Sequence, residues 1–199
     1  PYLITSQVEY ARCNESVFEA ELGAENFVDV PPAVQKFHRQ DAPPVWSGLV
    51  EVERGASLFA KIIATMFGFP QTGSDVPLAV TVDRMLDRAG QPQERWTRSF
   101  DGVQMSSVLC CAQGGALIER FTPLSFVLDI RSNEQGIAMP VAGWRLGFLG
   151  LPRFLAPRSD TREYQDEQGR FRFDARLSLP LIGLLAHYRG RLMSEKSWI

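Results

Sequence analysis

One stretch near the end of the chain, residues 170–192, constrains the fold more than any other. Apolar and polar side chains alternate strictly from Phe171 to Leu179, and a weaker alternation resumes at His187. Since a period of two places successive side chains on opposite faces of a strand, both parts are predicted to be strands with one apolar face. The connection between them, residues 180–186, is apolar where a hairpin normally carries polar turn residues. The sequence therefore predicts a sheet that curls around an apolar interior.

The same alternation recurs through most of the chain after residue 45, in segments separated by Gly, Pro and Asn turns. Asp101-Gly102 is typical of a two-residue hairpin turn. Short turns between consecutive strands predict an antiparallel meander of about nine or ten strands, either a curved sheet or an incomplete barrel. The predicted fold is therefore mostly β, within the α+β class.

Residues 56–67 are the one long helical pattern, with apolar side chains around most of the circumference and Lys61 as the only charge. A helix this apolar is predicted to pack against the concave face of the sheet and fill the core. A shorter helix is predicted at residues 33–39 after two prolines. Residues 29–199 are predicted to form a single β-rich domain, and residues 1–28 an arm or linker.

Composition narrows the function classes. The chain has 199 residues, 45% of them hydrophobic, and a net charge of −2, so a nucleic-acid partner is not expected. No apolar run reaches the roughly 18 residues of a membrane-spanning helix. Three cysteines, with Cys110 and Cys111 adjacent, make a poor disulfide framework and are interpreted as small core or sheet residues of a cytoplasmic protein. The oligomeric state is left open.

Two connections are unusually apolar. One contains Phe148, Leu149, Leu151, Phe154 and Leu155, and the other contains Leu181, Ile182, Leu184 and Leu185. Exposing this much apolar surface in water is unfavourable, which leaves three interpretations. The loops fold over the end of the barrel and complete the core, they line a cavity for an apolar ligand, or they contact a membrane surface or a partner. The membrane surface is the least favoured of the three.

Two Glu-Arg-aromatic triplets supply candidate chemistry. Glu94 shares a strand face with Trp96, and Glu119 shares one with Phe121. If those faces are interior, burial raises the carboxyl pKa and makes either glutamate a candidate general acid or base. The competing interpretation is cross-strand ion pairing with arginines such as Arg98.

His38 and His187 are the only histidines, and neither lies in a metal-binding spacing, so no metal site is predicted. His187 precedes Tyr188 on the last predicted strand, and both are candidates for proton transfer. No glycine-rich phosphate loop or nucleophile elbow is present, so no cofactor is predicted.

Six segments in a fixed order resemble a known family. They read PPAVQKFHR, VERGASLFAKIIATMFGFP, ERWTRSF, ERFTPLSF, LPRFLAPR and GRFRFDARLSLPLIGLLAHYRGRL. In order and spacing they resemble the bacterial family called domain of unknown function 4166, from about residue 22 or 31 to residue 192. The resemblance implies a single, mostly β domain and carries no reaction with it.

The leading hypothesis is that the curved sheet binds an apolar small molecule or lipid. Its predicted ligand-binding residues are Trp96, Arg98, Phe121, Trp144, Phe154 and Leu184. The alternative is a cofactor-independent enzyme, a cyclase or isomerase acting on a hydrophobic biosynthetic intermediate, with catalytic candidates Glu119, Glu94, His187 and Tyr188. The third hypothesis is a protein-interaction module with a filled core.

Overall fold

The computed structural model describes residues 16–39, 42, 45–112 and 115–194. Strands account for 55% of the structure and helices for 17%, which confirms the prediction of a mostly β fold. All strands belong to one antiparallel sheet.

The described residues contain fourteen strands, so the prediction of nine or ten was wrong. They are β1 (Val45–Arg54), β2 (Gly73–Leu86), β3 (Pro92–Phe100), β4 (Val103–Ala112), β5 (Ala116–Phe121), β6 (Leu124–Leu128), β7 (Arg131–Asn133), β8 (Gly136–Ala138), β9 (Val141–Leu146), β10 (Leu149–Gly150), β11 (Arg158–Gln165), β12 (Phe171–Leu179), β13 (Gly183–Arg191) and β14 (Met193–Ser194). The surplus comes from β7, β8, β10 and β14, which have two or three residues each. Strands this short do not produce a readable alternation.

The sheet follows the order β10-β9-β6-β5-β4-β3-β2-β1-β13-β12-β11-β8-β7, and β14 pairs with β1. Consecutive strands are mostly neighbours, as expected for a meander. The first and last parts of the chain meet in the middle of the sheet, because β1 pairs with β2 on one side and with β13 on the other. The sheet is not closed, because β10 and β7 are its two edges. The predicted curved, open sheet is therefore present.

Three short helices pack at one end of the sheet: α1 (Val17–Leu22), α2 (Ala24–Val28) and α3 (Pro32–His38). Val17, Phe18 and Phe27 are buried in the hydrophobic core, together with Phe37 from α3. The Phe37 ring stacks on Phe171 of β12 at 4.3 Å between centroids. Residues 16–28 thus contribute to the core, although the predicted boundary between arm and domain falls at residue 28. Residues 1–15 lie outside the described part of the chain.

Helix α4 (Leu58–Met66) lies where a helix was predicted, but its predicted role as the filling of the core was wrong. Leu58, Phe59 and Met66 are 71%, 68% and 76% exposed, and only Ala60 and Ala64 are buried. A helix that is apolar on most sides can bury one side only, and here that side carries the alanines. The small alanine side chains permit the helix to lie close to the backbone at the end of β1. The space between them is narrow, since a Cβ added at Gly55 would lie 2.8 Å from Cβ of Ala60. The core is formed by the inward faces of the strands and by the N-terminal helices.

Candidate ligand-binding cavity

The concave side of the sheet encloses a cavity of about 390 Å³. Its walls are inward side chains of β2 to β6, β9 and β11 to β13, among them Leu78, Val80, Leu109, Leu128, Phe173 and Leu177. These residues occupy the apolar positions of the alternating strands, so the pattern that forms the sheet also makes the cavity apolar. The volume lies within the range of small-molecule sites, about 300–1,000 Å³.

The N-terminal helices cover one end of the cavity, here called the closed end. Phe18 of α1 and Phe37 of α3 both line it beside Trp96. Nε2 of His38, which packs against Phe18, contacts the Glu163 carboxylate, and both residues are buried. Glu163 also lines the cavity, so this end presents one carboxylate within an aromatic wall.

A polar cluster formed by Arg98, Ser107 and Glu119 lies in the wall. The Arg98 guanidinium donates from Nη1 to Ser107 Oγ at 3.0 Å and from Nη2 to Glu119 Oε1 at 3.2 Å. Ser107 Oγ in turn donates to Glu119 Oε1 at 2.7 Å. The guanidinium carbon lies 5.2 Å from the centroid of the Trp96 ring, a favourable cation–π distance. Three adjacent strands, β3, β4 and β5, therefore fix the cluster through mutual contacts.

Arg98 and Glu119 both line the cavity with side chains 14% and 17% exposed. Their opposite charges are compensated locally, as a mostly buried pair requires. The hydrogen bonds from Arg98 and Ser107 both end on Oε1, and no group among the described residues donates to Oε2. The second carboxylate oxygen is therefore available to a hydrogen-bond donor inside the cavity.

Tyr188 of β13 lies on the cavity wall between Phe100 and Phe173, at 5.3 and 6.0 Å between ring centroids. Burial raises the pKa of its phenol; the Arg98 charge opposes this effect, and the Glu119 charge adds to it. The phenol therefore stays protonated at neutral pH and can donate a hydrogen bond.

The two other predicted catalytic residues lie outside the cavity lining. Glu94 is 1% exposed and accepts hydrogen bonds from the Val17 amide at 3.2 Å and Trp96 Nε1 at 2.9 Å. It attaches α1 to the sheet at the closed end. His187 lies on the outer face, where Nε2 is 2.7 Å from Asp174 Oδ1. Because Tyr188 points inward and successive side chains of a strand point to opposite faces, His187 points outward.

Four of the six predicted ligand-binding residues line the cavity: Trp96, Arg98, Phe121 and Trp144. Phe154 lies on an exposed 3₁₀ turn, Arg153–Leu155, and Leu184 is half-buried beside the cavity. Leu185 takes the lining position instead of Leu184. The cause is a β-bulge in the β12–β13 pairing between Leu177 and Ser178, where Leu185 of β13 has no partner. The bulge shifts the inward face of β13 by one residue.

Sequence reasoning missed the polar residues of β11. Ser159, Thr161 and Glu163 all line the cavity, and the first two share a hydrogen bond of 2.8 Å between their hydroxyl oxygens. Their spacing of two was the available signal, but nothing in the sequence indicated which face of that strand was interior. The strand register identifies the interior face, because the three residues pair with the cavity-lining residues Leu177, Ala175 and Phe173 of β12.

The described residues form neither a metal-binding cluster nor a membrane-spanning helix. Within the described ranges, no group of three or more His, Cys, Asp or Glu side chains is placed to hold a metal ion. No helix in those ranges has both the length and the apolar character needed to cross a bilayer. Cys110 is buried, and Cys111 is half-buried.

The family model described as Domain of unknown function (DUF4166) matches residues 30–192. The chain belongs to this family. The resemblance found in the sequence is thereby confirmed. The DUF4166 match includes α3 and the strands from β1 to β13, and hence every strand that lines the cavity, whereas α1 and α2 precede it. No curated protein matches the chain.

Proposed function

We propose that this DUF4166 domain binds an apolar small molecule or lipid within the curved sheet. The observation that carries the proposal is the cavity of about 390 Å³, covered at one end and lined by the apolar faces of nine strands. A chain with a filled core would close such a space, because cavities weaken packing by about 24 cal/mol per Å³. The volume therefore favours ligand binding over an interaction module with a filled core.

The polar cluster indicates what kind of ligand suits the wall. Arg98 and Glu119 neutralise each other, so the wall offers no uncompensated charge at this point. A hydroxyl or carbonyl group fits such a site better than a carboxylate or ammonium, which would be desolvated without a counter-charge. Tyr188 and Glu119 Oε2 provide one donor and one acceptor. The preferred ligand is therefore a mostly apolar molecule with a neutral polar group.

A cavity-filling substitution tests this proposal. Ala175 lines the cavity, paired with Thr161 and Tyr188 on the adjacent strands. Ala175→Phe places a phenyl ring in the space that the ligand would occupy. The matched control is Ala79→Phe, because Ala79 lies on the outer face between the lining residues Leu78 and Val80.

The assay is titration with Nile red, an uncharged apolar dye, followed by competition with extracted cellular lipids. We expect Ala175→Phe to lower saturable dye binding by at least about tenfold, a loss of roughly 1.4 kcal/mol. Ala79→Phe should bind as the unmodified protein does. Equal binding by both variants, with melting temperatures unchanged, would place the dye elsewhere and refute the proposal.

The second candidate is a cofactor-independent enzyme that uses the same cavity, a cyclase or isomerase. The observation in its favour is the charged cluster, because a ligand carrier gains little from an ion pair in an apolar wall. In this case Glu119 acts as the proton acceptor and Tyr188 as the donor, while Arg98 holds the carboxylate. Glu119→Gln keeps the size of the side chain and separates the two functions. A carrier has no turnover to lose, whereas the enzyme loses turnover by a much larger factor than it loses ligand affinity, because the Gln amide oxygen still accepts hydrogen bonds from Arg98 and Ser107.

A further inference from the structure

The open end of the cavity is surrounded by four segments, here called the rim: residues 55–67, 121–126, 144–157 and 177–185. The ends of these segments line the cavity, with the exception of residue 55. Residue 55 begins the first segment and lies beside the backbone of β13. The exposed large hydrophobic side chains of the described residues concentrate here. In the described part of the chain, only Val28, Leu49 and Val103 are exposed large hydrophobic residues outside the rim. The rim exposes Phe59, Met66, Phe148, Phe154 and Leu181 among others.

Direct contacts join the first half of the rim. Phe67, at the end of α4, lies 6.4 Å from Phe121 between ring centroids. Phe121 pairs with Leu124 across the β5–β6 turn, and Leu124 pairs with Leu146 of β9. The β9–β10 turn, which carries the fully exposed Phe148, therefore lies beside the β5–β6 turn.

The second half returns to α4. Trp144 Nε1 donates to the Pro152 carbonyl at 3.0 Å, which attaches the segment bearing Phe154 to β9. That segment enters β11, whose first residue pairs with Ser178 near the end of β12. Beyond the β12–β13 turn, Ser57 at the start of α4 donates from Oγ to the Ile182 carbonyl at 3.4 Å. The rim is therefore a continuous ring around the cavity opening.

The charge of the rim has one sign. The four segments contain Lys61, Arg145 and Arg153 and no aspartate or glutamate, in a chain whose net charge is −2. All three cations are exposed, and none forms an ion pair within the described ranges. Asp75 in β2 and Asp101 in the β3–β4 turn lie outside the four segments. The exposed apolar ring therefore carries only positive charge.

We infer that the rim docks on the surface of an anionic lipid bilayer. Apolar side chains next to Lys and Arg are the features by which peripheral proteins bind a membrane surface, since the former enter the acyl boundary and the latter meet anionic headgroups. Docking in this way places the cavity opening against the bilayer. The inference does not depend on ligand binding, because a filled cavity would leave the same rim.

A second copy of the chain is a poorer occupant of the same surface. In a two-fold dimer the same patch faces itself, so rim-to-rim contact would bring three unpaired cations against three others. An anionic bilayer meets both features of the rim at once.

Vesicle co-sedimentation of the whole chain tests the inference, with phosphatidylcholine vesicles that either contain or lack phosphatidylglycerol. We expect the unmodified protein to bind the anionic vesicles and to bind the neutral ones weakly. Phe148→Glu combined with Leu181→Glu should reduce binding by at least about tenfold. The matched control, Val28→Glu combined with Leu49→Glu, also replaces two exposed apolar residues but away from the rim, and it should bind normally.

Charge substitutions form the second arm. Lys61→Gln and Arg153→Gln should each weaken binding to anionic vesicles by about fivefold, while Arg95→Gln, an exposed cation outside the rim, should have no effect. Melting temperatures are expected to be unchanged, because every substituted side chain is exposed or half-exposed. Absence of vesicle binding, or equal losses in rim and control variants, would overturn the inference. A concentration-dependent dimer that Phe148→Glu dissolves, without vesicle binding, would overturn it in favour of self-association.

Discussion

Phe18 provides a direct test of how the N-terminal helices hold the closed end. Its side chain is 1% exposed and contacts the rings of His38 and Trp96 at 3.9 and 5.8 Å between centroids. Replacement by alanine removes a buried phenyl ring and enlarges the cavity, which costs about 3–5 kcal/mol in well-packed cores. In a domain of this size each kcal/mol lowers the melting temperature by about 2–4 °C, so Phe18→Ala should lower it by roughly 6–20 °C.

The assay is urea denaturation followed by tryptophan fluorescence, with calorimetry for the melting temperature. Phe148→Ala is the matched control, since it removes the same ring from a fully exposed position and should change the unfolding free energy by less than about 0.5 kcal/mol. If Phe18→Ala also costs less than about 1 kcal/mol, α1 contributes little to the core. Residues 16–28 would then behave as the arm that the sequence predicted.

Three further predictions concern individual side chains. Burial raises the pKa of Tyr188 in the folded state, so the unfolding free energy should fall once the pH exceeds about 10, where the unfolded state alone loses the proton. Tyr188→Phe should reduce that fall. An unchanged alkaline unfolding profile in the variant would contradict the assignment. Burial, partly offset by Arg120, also raises the pKa of Cys110. At neutral pH iodoacetamide should therefore label Cys110 at least about tenfold more slowly in the folded protein than in urea-unfolded protein, as measured by peptide mass mapping, and equal rates would contradict its burial. Arg98→Met alone should lower the free energy of unfolding by up to about 3–5 kcal/mol, because it leaves the Glu119 carboxylate without its counter-charge. Combining it with Glu119→Leu should restore much of that loss, as measured by urea unfolding. A double variant as costly as the sum of the two single variants would refute the pairing.

The sequence predicted the sheet well wherever alternation was long. Residues 171–179 read as a strand with Phe171, Phe173 and Ala175 on one face, and those residues do line the cavity as part of β12. Long alternation reports both the strand and its buried face because burial imposes the period directly. The shortest strands were missed because two or three residues carry no period.

The placement of α4 could not be predicted from its composition. Apolar residues surround the helix, and periodicity alone cannot tell a helix buried on all sides from one that exposes Leu58, Phe59 and Met66. The distinction depends on the close contact of Ala60 with Gly55, which is a tertiary feature.

The two Glu-Arg-aromatic triplets show a similar limit. Glu94 and Glu119 have nearly the same local sequence, yet α1 covers Glu94, whereas Glu119 faces the cavity beside Arg98. The difference arises from a helix more than seventy residues away in the chain. Likewise, a single bulge at Leu177 exchanged Leu184 for Leu185 in the cavity wall. Neither event leaves a local signal in the sequence.

Native mass spectrometry of gently purified protein, followed by solvent extraction of the bound material, tests the central claim most directly. Ligand binding predicts a stoichiometric, mostly apolar compound with a neutral polar group, present on the unmodified protein and on Ala79→Phe but absent from Ala175→Phe. A ligand-free mass for the unmodified protein that stays unchanged after exposure to a panel of lipids and polyketides would contradict the claim.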